Sequence, residues 1–120
     1  FLYDIIKELQ KSGIRTSIFV HPDIKMIQGS ADINADRVEL FTGLYANASS
    51  CIDSYIQCSQ YASNLGLDVN AGHDLDLNNL TFFIKKMSFL KEVSIGHALI
   101  SESLILGLEE TIRRYKKILS

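Results

Sequence analysis

Two glycine–histidine pairs, Gly72-His73 and Gly96-His97, are the residues whose types and spacing point most directly to chemistry. Each pair follows an apolar run typical of a strand, and imidazole can hold or release a proton near neutral pH. Glycine lets the backbone approach an anion closely, and the start of a helix favours negative charge. Two such endings indicate a shared site, while each alone is also compatible with a capping or helix-entry turn.

Glu39 is a third candidate and lies in a predicted strand at residues 36–41. Side chains alternate along a strand, so Glu39 faces away from its neighbours Val38 and Leu40. In a closed sheet its carboxylate either points inward, where it could serve a reaction, or contacts outer helices and needs a partner such as Arg37. The pattern leaves both readings open.

Length and composition limit the classes of function. The chain has 120 residues, 47% of them hydrophobic, with a formal charge of −2 and a pI near 5.9, which fits one domain or less and gives no basic face for nucleic acid. No apolar stretch approaches the roughly 18 residues that span a bilayer, so we expect a cytoplasmic protein without a membrane partner. Cys51 and Cys58 are expected to be reduced thiols, because their spacing on a predicted helix separates them by about 10 Å. The group Asp76, Asn78 and Asn79 lacks the glycine and final glutamate of a calcium loop, so we interpret it as a helix cap and predict no metal site.

The elements that must position these residues form one strand–helix unit repeated four times. Pro22 and Asp23 mark a helix start after His21, which reads as a loop residue, and Gly66 marks a helix stop. The predicted strands cover residues 15–20, 36–41, 67–70 and 92–95, and the predicted helices cover residues 1–11, 23–31, 45–64, 78–86, 101–106 and 108–119.

This alternation, with short connections and no hairpin signals, predicts an α/β fold with parallel strands joined by right-handed crossovers. Four units in about a hundred residues match the number of residues per unit in a (β/α)8 TIM barrel, in which eight units take about 250 residues. A small doubly wound sheet is the competing fold, but its glycine-rich phosphate fingerprint is missing after the first strand. Half a barrel is therefore the predicted architecture.

In either architecture the chemistry gathers at the carboxyl ends of the strands. In barrels, the loops after the last two strands and the amino end of a short extra helix commonly hold a phosphate. Gly72, Gly96 and His97, with a helix expected to begin near Ala98, therefore predict an anion cradle built from backbone amides.

Five segments carry a family resemblance: RTSIFVHPD, ADINADRVELFTGLYA, GLDVNAGHDLDLNNL, EVSIGHALI and GLEETIRRYK. In order and spacing they resemble the second half of the pyridoxine 5′-phosphate synthases, TIM-barrel enzymes of the deoxyxylulose-dependent vitamin B6 route. The resemblance covers nearly the whole chain. It implies that residues 1–120 form the C-terminal half of one barrel domain, strands five to eight, without the N-terminal half.

The resemblance implies condensation of 1-deoxy-D-xylulose 5-phosphate with 3-amino-2-oxopropyl phosphate to form pyridoxine 5′-phosphate, with loss of phosphate and water. It implies no metal and no organic cofactor, and a homo-octamer that takes small phosphorylated substrates and inorganic phosphate. Position by position, it implies a general acid at His73 and transition-state stabilisation by Glu39. The aminoacetone phosphate is expected to be held at Asp74, Gly96 and His97.

Two positions depart from the family pattern. Asp74 stands where many relatives have glycine, which a backbone amide can tolerate, although a carboxylate near a phosphate is unfavourable. Phe41 stands where relatives often have histidine, so the resemblance assigns it no role.

The rest of the implied site lies outside this sequence. In the family a general base, a further catalytic histidine, and the arginines and threonine that hold the sugar phosphate belong to the first four βα units. Phe1 lies inside a helical pattern, so we expect a preceding segment. One hypothesis is part of a synthase that is active when complete and inactive as this fragment; the alternative is a half barrel that pairs with another copy or binds phosphate without turnover.

Overall fold

Four parallel strands in the sequential order β1-β2-β3-β4 form the sheet of this protein, seen in a computed structural model that describes residues 1–120. Sequential strand order with a helix after every strand is typical of neighbouring units in a (β/α)8 barrel. In a doubly wound sheet, by contrast, the order of the strands reverses at a switch point. The predicted α/β half-barrel is confirmed. The elements are α1 (Leu2–Lys11), β1 (Ser17–Val20), α2 (Ile24–Asp32), β2 (Arg37–Phe41), α3 (Gly43–Asn47), a 3₁₀ turn (Ser49–Cys51), α4 (Ile52–Asn64), β3 (Asp68–Gly72), α5 (Leu80–Lys86), β4 (Leu90–Ser94), α6 (His97–Leu106) and α7 (Leu108–Leu119).

The two faces of the sheet differ in what covers them. Val38, Leu40, Val69 and Ala71 are fully buried on the face that packs against the helices. The other face is open, and Phe19 on it is 58% exposed. Strand alternation places Glu39 on this open face, which becomes the interior of a closed barrel.

The predicted single helix over residues 45–64 is wrong, because the helix is interrupted at Ala48. That residue is extended, at φ −152° and ψ 91°, and separates α3 from the 3₁₀ turn and α4. A contact from α4 to the chain before Ala48 stabilises this interruption. The Tyr55 hydroxyl donates to the carbonyl of Phe41 at 2.8 Å and accepts from the amide of Tyr45 at 3.3 Å. Helical periodicity alone does not report such a contact.

Other predicted boundaries move by a few residues. β3 continues through Gly72 instead of ending at Asn70, and α6 begins at His97. The helix stop at Gly66 is confirmed, with φ +79°, as is the Asp23 cap, whose carboxylate accepts from the amide of Lys25 at 2.7 Å. The Asp76 carboxylate accepts from the amides of Asn78 and Asn79 at 2.8 Å just before α5. Both cysteines are free thiols, as expected.

A cluster of charged and polar side chains extends from the amino-terminal end to the middle of the open face. Arg37 is only 4% exposed, and its guanidinium donates to Asn70 at 2.7 Å and to Asp68 at 3.1 Å. It also pairs with Glu92, which accepts from Asn70 at 2.9 Å. Three strands are thereby tied together through their side chains.

Apolar side chains at the C-terminal part of the chain have no cover. Ile100, Leu104 and Ile105 on α6 are 61%, 84% and 87% exposed. The outer edges of β1 and β4 also have no partner strand. None of the helices is long and apolar enough to cross a membrane.

Candidate functional site

Aromatic rings meet at the carboxyl ends of the first three strands. The ring of Phe41 lies between the imidazoles of His21 and His73, with centroid separations of 5.0 and 4.7 Å. Phe19 packs edge-on against Phe41 at 6.0 Å. Parallel register explains the meeting, because it places the ends of neighbouring strands side by side.

Glu39 projects from β2 toward β3 on the open face. A Cβ atom added at Gly72 would lie 2.5 Å from its Oε1 atom, so the carboxylate passes directly over that glycine. Glu39 makes no ion pair, and Arg37 pairs with Asp68 and Glu92 instead. The salt-bridge reading of Glu39 is therefore excluded, and the inward reading holds.

The backbone at His73 and Asp74 adopts an unusual conformation. Their φ angles are +95° and +57°, a region that non-glycine residues rarely occupy and that costs on the order of 1–3 kcal/mol per residue. Two side chains hold the segment: the Thr42 hydroxyl donates to the carbonyl of His73 at 2.5 Å, and the Asn79 amide donates to that of Asp74 at 2.9 Å. Such strain is found where a side chain must be aimed at a ligand.

The His73 imidazole has one nitrogen engaged and one free. Its Nδ1 atom lies 2.9 Å from the Asp74 carboxylate, and its side chain is 53% exposed. An ionised carboxylate accepts, so it favours a proton on Nδ1 and leaves Nε2 for a substrate. Asp74 thus acts on the imidazole in addition to any role at a phosphate.

The second glycine–histidine pair forms the start of α6. Gly96 precedes the helix at φ −111° and ψ −88°, and His97 is its first residue. No side chain caps this helix, so the amides of its first turn are available to a ligand. A Cβ atom added at Gly96 would meet nothing within 4 Å, which shows that the space above this turn is open.

A shallow cleft of about 270 Å³ lies at this helix start. Two of its carboxylates are held by neutral donors, because Asp76 accepts from two backbone amides and Glu102 accepts from the Tyr115 hydroxyl at 2.5 Å. Burial, with the Glu102 carboxylate as a further cause, raises the pKa of Tyr115. The lining includes Asp74, Leu75, Asp76, Gly96, His97, Ala98, Ser101 and Glu102.

The structure separates the predicted site residues into two neighbouring groups. Asp74, Gly96 and His97 border the cleft, whereas Gly72 lies under Glu39 and is not part of the lining. Sequence reasoning did not single out Thr42, whose hydroxyl fixes the strained turn, and it set His21 aside as a loop residue. Their position directly at strand ends is the signal that could have identified both.

Comparison with known proteins places this chain in a family. Residues 1–120 match the family model described as pyridoxal phosphate biosynthesis protein PdxJ. Proteins named pyridoxine 5′-phosphate synthase are similar: that of Christiangramia forsetii is 49% identical over 99% of this chain and 52% of its own length, and that of Cytophaga hutchinsonii is 51% identical over 96% and 50%. The synthase of Bacteroides fragilis is 48% identical over 99% of this chain and 52% of its own.

The chain thus spans about half the length of the curated relatives it matches, as a four-stranded half of an eight-stranded barrel does. With a match over all its residues and relatives near 50% identity, the chain belongs to the PdxJ family of pyridoxal phosphate biosynthesis proteins.

Proposed function

We propose that this chain supplies half of a pyridoxine 5′-phosphate synthase, which condenses 1-deoxy-D-xylulose 5-phosphate with 3-amino-2-oxopropyl phosphate. The observation that carries the proposal is the strained turn at His73, which presents an imidazole at the strand end where Glu39 faces the barrel interior. The names of the relatives support a role in vitamin B6 biosynthesis.

Each residue has a defined task in this proposal. His73 acts as an imidazolium protonated on both ring nitrogens: Nε2 gives its proton to the departing hydroxyl, which leaves as water, and Nδ1 keeps its proton toward Asp74. Glu39 stabilises positive charge that develops in the transition state. Gly96 and His97 hold the phosphate of the aminoacetone phosphate through the first amides of α6, beside Asp74. The chemistry uses no metal and no organic cofactor.

Gly72 has a steric task besides the predicted contact with an anion. Only a residue without Cβ leaves room for the Glu39 carboxylate, which is itself negative and would repel a phosphate placed at the same point. We therefore assign the main phosphate contact to Gly96 and His97.

The proposed enzyme needs a second half barrel. The unpaired edges of β1 and β4 and the exposed Leu104 and Ile105 of α6 require partners, because open edges and uncovered apolar surfaces favour association. We infer that the N-terminal half of the barrel covers the strand edges and that complete chains assemble into a cytoplasmic homo-oligomer, an octamer by resemblance.

This requirement predicts that the isolated 120-residue chain is inactive and does not persist as a stable monomer. Sedimentation velocity should show association or aggregation, and urea unfolding should lack a single cooperative step. A compact monomer of 13.5 kDa that unfolds cooperatively would contradict the prediction.

A phosphate-binding half barrel without turnover is the second candidate, favoured by the uncapped start of α6. The intact mass of the protein isolated from its source separates the two, because a chain of 13.5 kDa cannot contain the other half. The deciding assay incubates the native protein with both substrates and measures pyridoxine 5′-phosphate and released inorganic phosphate. Formation of both supports the synthase, whereas phosphate binding without product supports the binding module.

A further inference from the structure

Phe41 is the central member of the ring cluster at the strand ends. Its ring contacts the imidazoles of His21 and His73 at interplanar angles of 70° and 58°, and the ring of Phe19 at 86°. Tilted and edge-to-face contacts of this kind are favourable beyond the area that they bury. The orientation of the two imidazoles is therefore coupled to that of the Phe41 ring.

The Phe41 ring is itself fixed by its surroundings. A Cβ atom added at Gly43 would overlap the far end of the ring, so the ring lies directly on that glycine. The backbone below it is held from both sides, because Phe41 pairs with Gly72 in the sheet and its carbonyl accepts from the Tyr55 hydroxyl. The fixed Phe41 ring can therefore support the imidazole of His73, which packs against it.

His73 needs such a support. Its side chain is half exposed, and its ring has one polar contact, with Asp74, which is equally exposed. An exposed contact of this kind is weak on its own in water. The face against Phe41 is what restricts the imidazole in the remaining direction.

We propose that Phe41 is a positioning residue of the synthase reaction: seated on Gly43, its ring holds the His73 imidazole in the orientation needed for proton transfer. The inference rests on the proposed function. It also gives His21 a place in the site, as a second imidazole in contact with the same ring.

The test compares three variants of the full-length synthase that contains this chain. Phe41→Leu keeps an apolar side chain but removes the flat ring, and kcat should fall about ten- to hundred-fold with little change in KM, since misplacing a reacting group by about 1 Å costs this much. Phe41→His restores a planar ring at the same position and should recover most of the lost kcat. Phe89→Leu, a matched loss of an aromatic ring away from the strand ends, should leave kcat unchanged.

A second route displaces the ring without changing it. Gly43→Ala should push the Phe41 ring away and lower kcat in the wild-type background. In the Phe41→Leu background the same substitution should have little further effect, because the ring it displaces is absent. Imidazole NMR signals of His73 should move in Phe41→Leu and in Gly43→Ala, but not in Phe89→Leu.

The outcomes distinguish a failure of the proposed function from a failure of the positioning role of Phe41. If the wild-type protein lacks synthase activity, the proposed function fails. If the wild type is active but Phe41→Leu retains its kcat and the His73 signals stay in place, the positioning role of Phe41 is wrong and the proposed function stands. Additive losses from Gly43→Ala and Phe41→Leu would also overturn the positioning role.

Discussion

The Glu39 carboxylate lies very close to Gly72 in the candidate site, and Gly72→Ala tests this approach. An added Cβ atom would lie 2.5 Å from Oε1 of Glu39 and 2.8 Å from Cβ of Ser94. Ordinary van der Waals contact begins at 3.4 Å, so the carboxylate must retreat by about 0.9 Å. Ser94 belongs to a paired strand and has less freedom to move.

Two effects of different size follow from this overlap. Overpacking against the strand should lower the free energy of unfolding by about 1–3 kcal/mol. If Glu39 has its proposed catalytic role, displacing its carboxylate by nearly 1 Å should lower kcat about a hundred-fold, with a smaller effect on KM. Activity should therefore fall much more than the folded fraction.

The assay combines steady-state kinetics of the full-length protein with urea unfolding of the same preparation. Gly29→Ala is the matched control, because Gly29 lies in α2 with nothing within 4 Å of an added Cβ. That change should leave kcat unaltered and raise stability by up to about 1 kcal/mol. A folded Gly72→Ala enzyme with kcat within twofold of wild type would refute the assigned position of Glu39.

Three further predictions concern single residues. His73→Asn should lower kcat about a hundred-fold or more with little change in substrate affinity, as expected for a lost general acid; a raised KM at unchanged kcat would make His73 a binding residue. Gly96→Val should remove most of the affinity for aminoacetone phosphate analogues in calorimetric titration, and unchanged binding would contradict the cradle. Hydrogen bonds from Thr16 hold the pKa of Asp36 below its ordinary 3.8. The ionised Asp36 carboxylate therefore stabilises the fold fully above pH 3.8, and this contribution is lost as the pH falls through the lowered pKa. Asp36→Asn should then cost about 1 kcal/mol at pH 7 and progressively less toward pH 3 in urea unfolding, and a constant difference would refute it.

Local signals predicted much of the fold. Gly66 ends α4 and Asp23 caps α2, so each of these signals could be predicted from its own segment. The break at Ala48 could not, because the Tyr55 hydroxyl that stabilises it comes from the next helix. Propensity is overridden wherever a long-range contact satisfies the backbone.

In the candidate site, too, some features could be predicted from local sequence and others depend on the folded sheet. The strand-end positions of Glu39 and His73 follow from the α/β pattern, which brings such residues to one edge. The contact of Phe41 with His73 depends on the register of two strands, and register is set by the whole sheet. The clearance of Glu39 over Gly72 likewise requires coordinates, although a glycine within a strand is a signal of close approach.

The charged cluster around Arg37 has a consequence for how the half barrel reaches its native pairing. A slip of β2 by one residue would turn Arg37 onto the helix-covered face and leave a cation without its carboxylates, at a cost of several kcal/mol. The same slip would expose Val38 and Leu40, which are now fully buried. Asn70 and Glu92 extend this constraint to β3 and β4. The buried guanidinium therefore disfavours misaligned pairings of β2, and the register that it favours is the one that brings the strand-end residues of the site side by side.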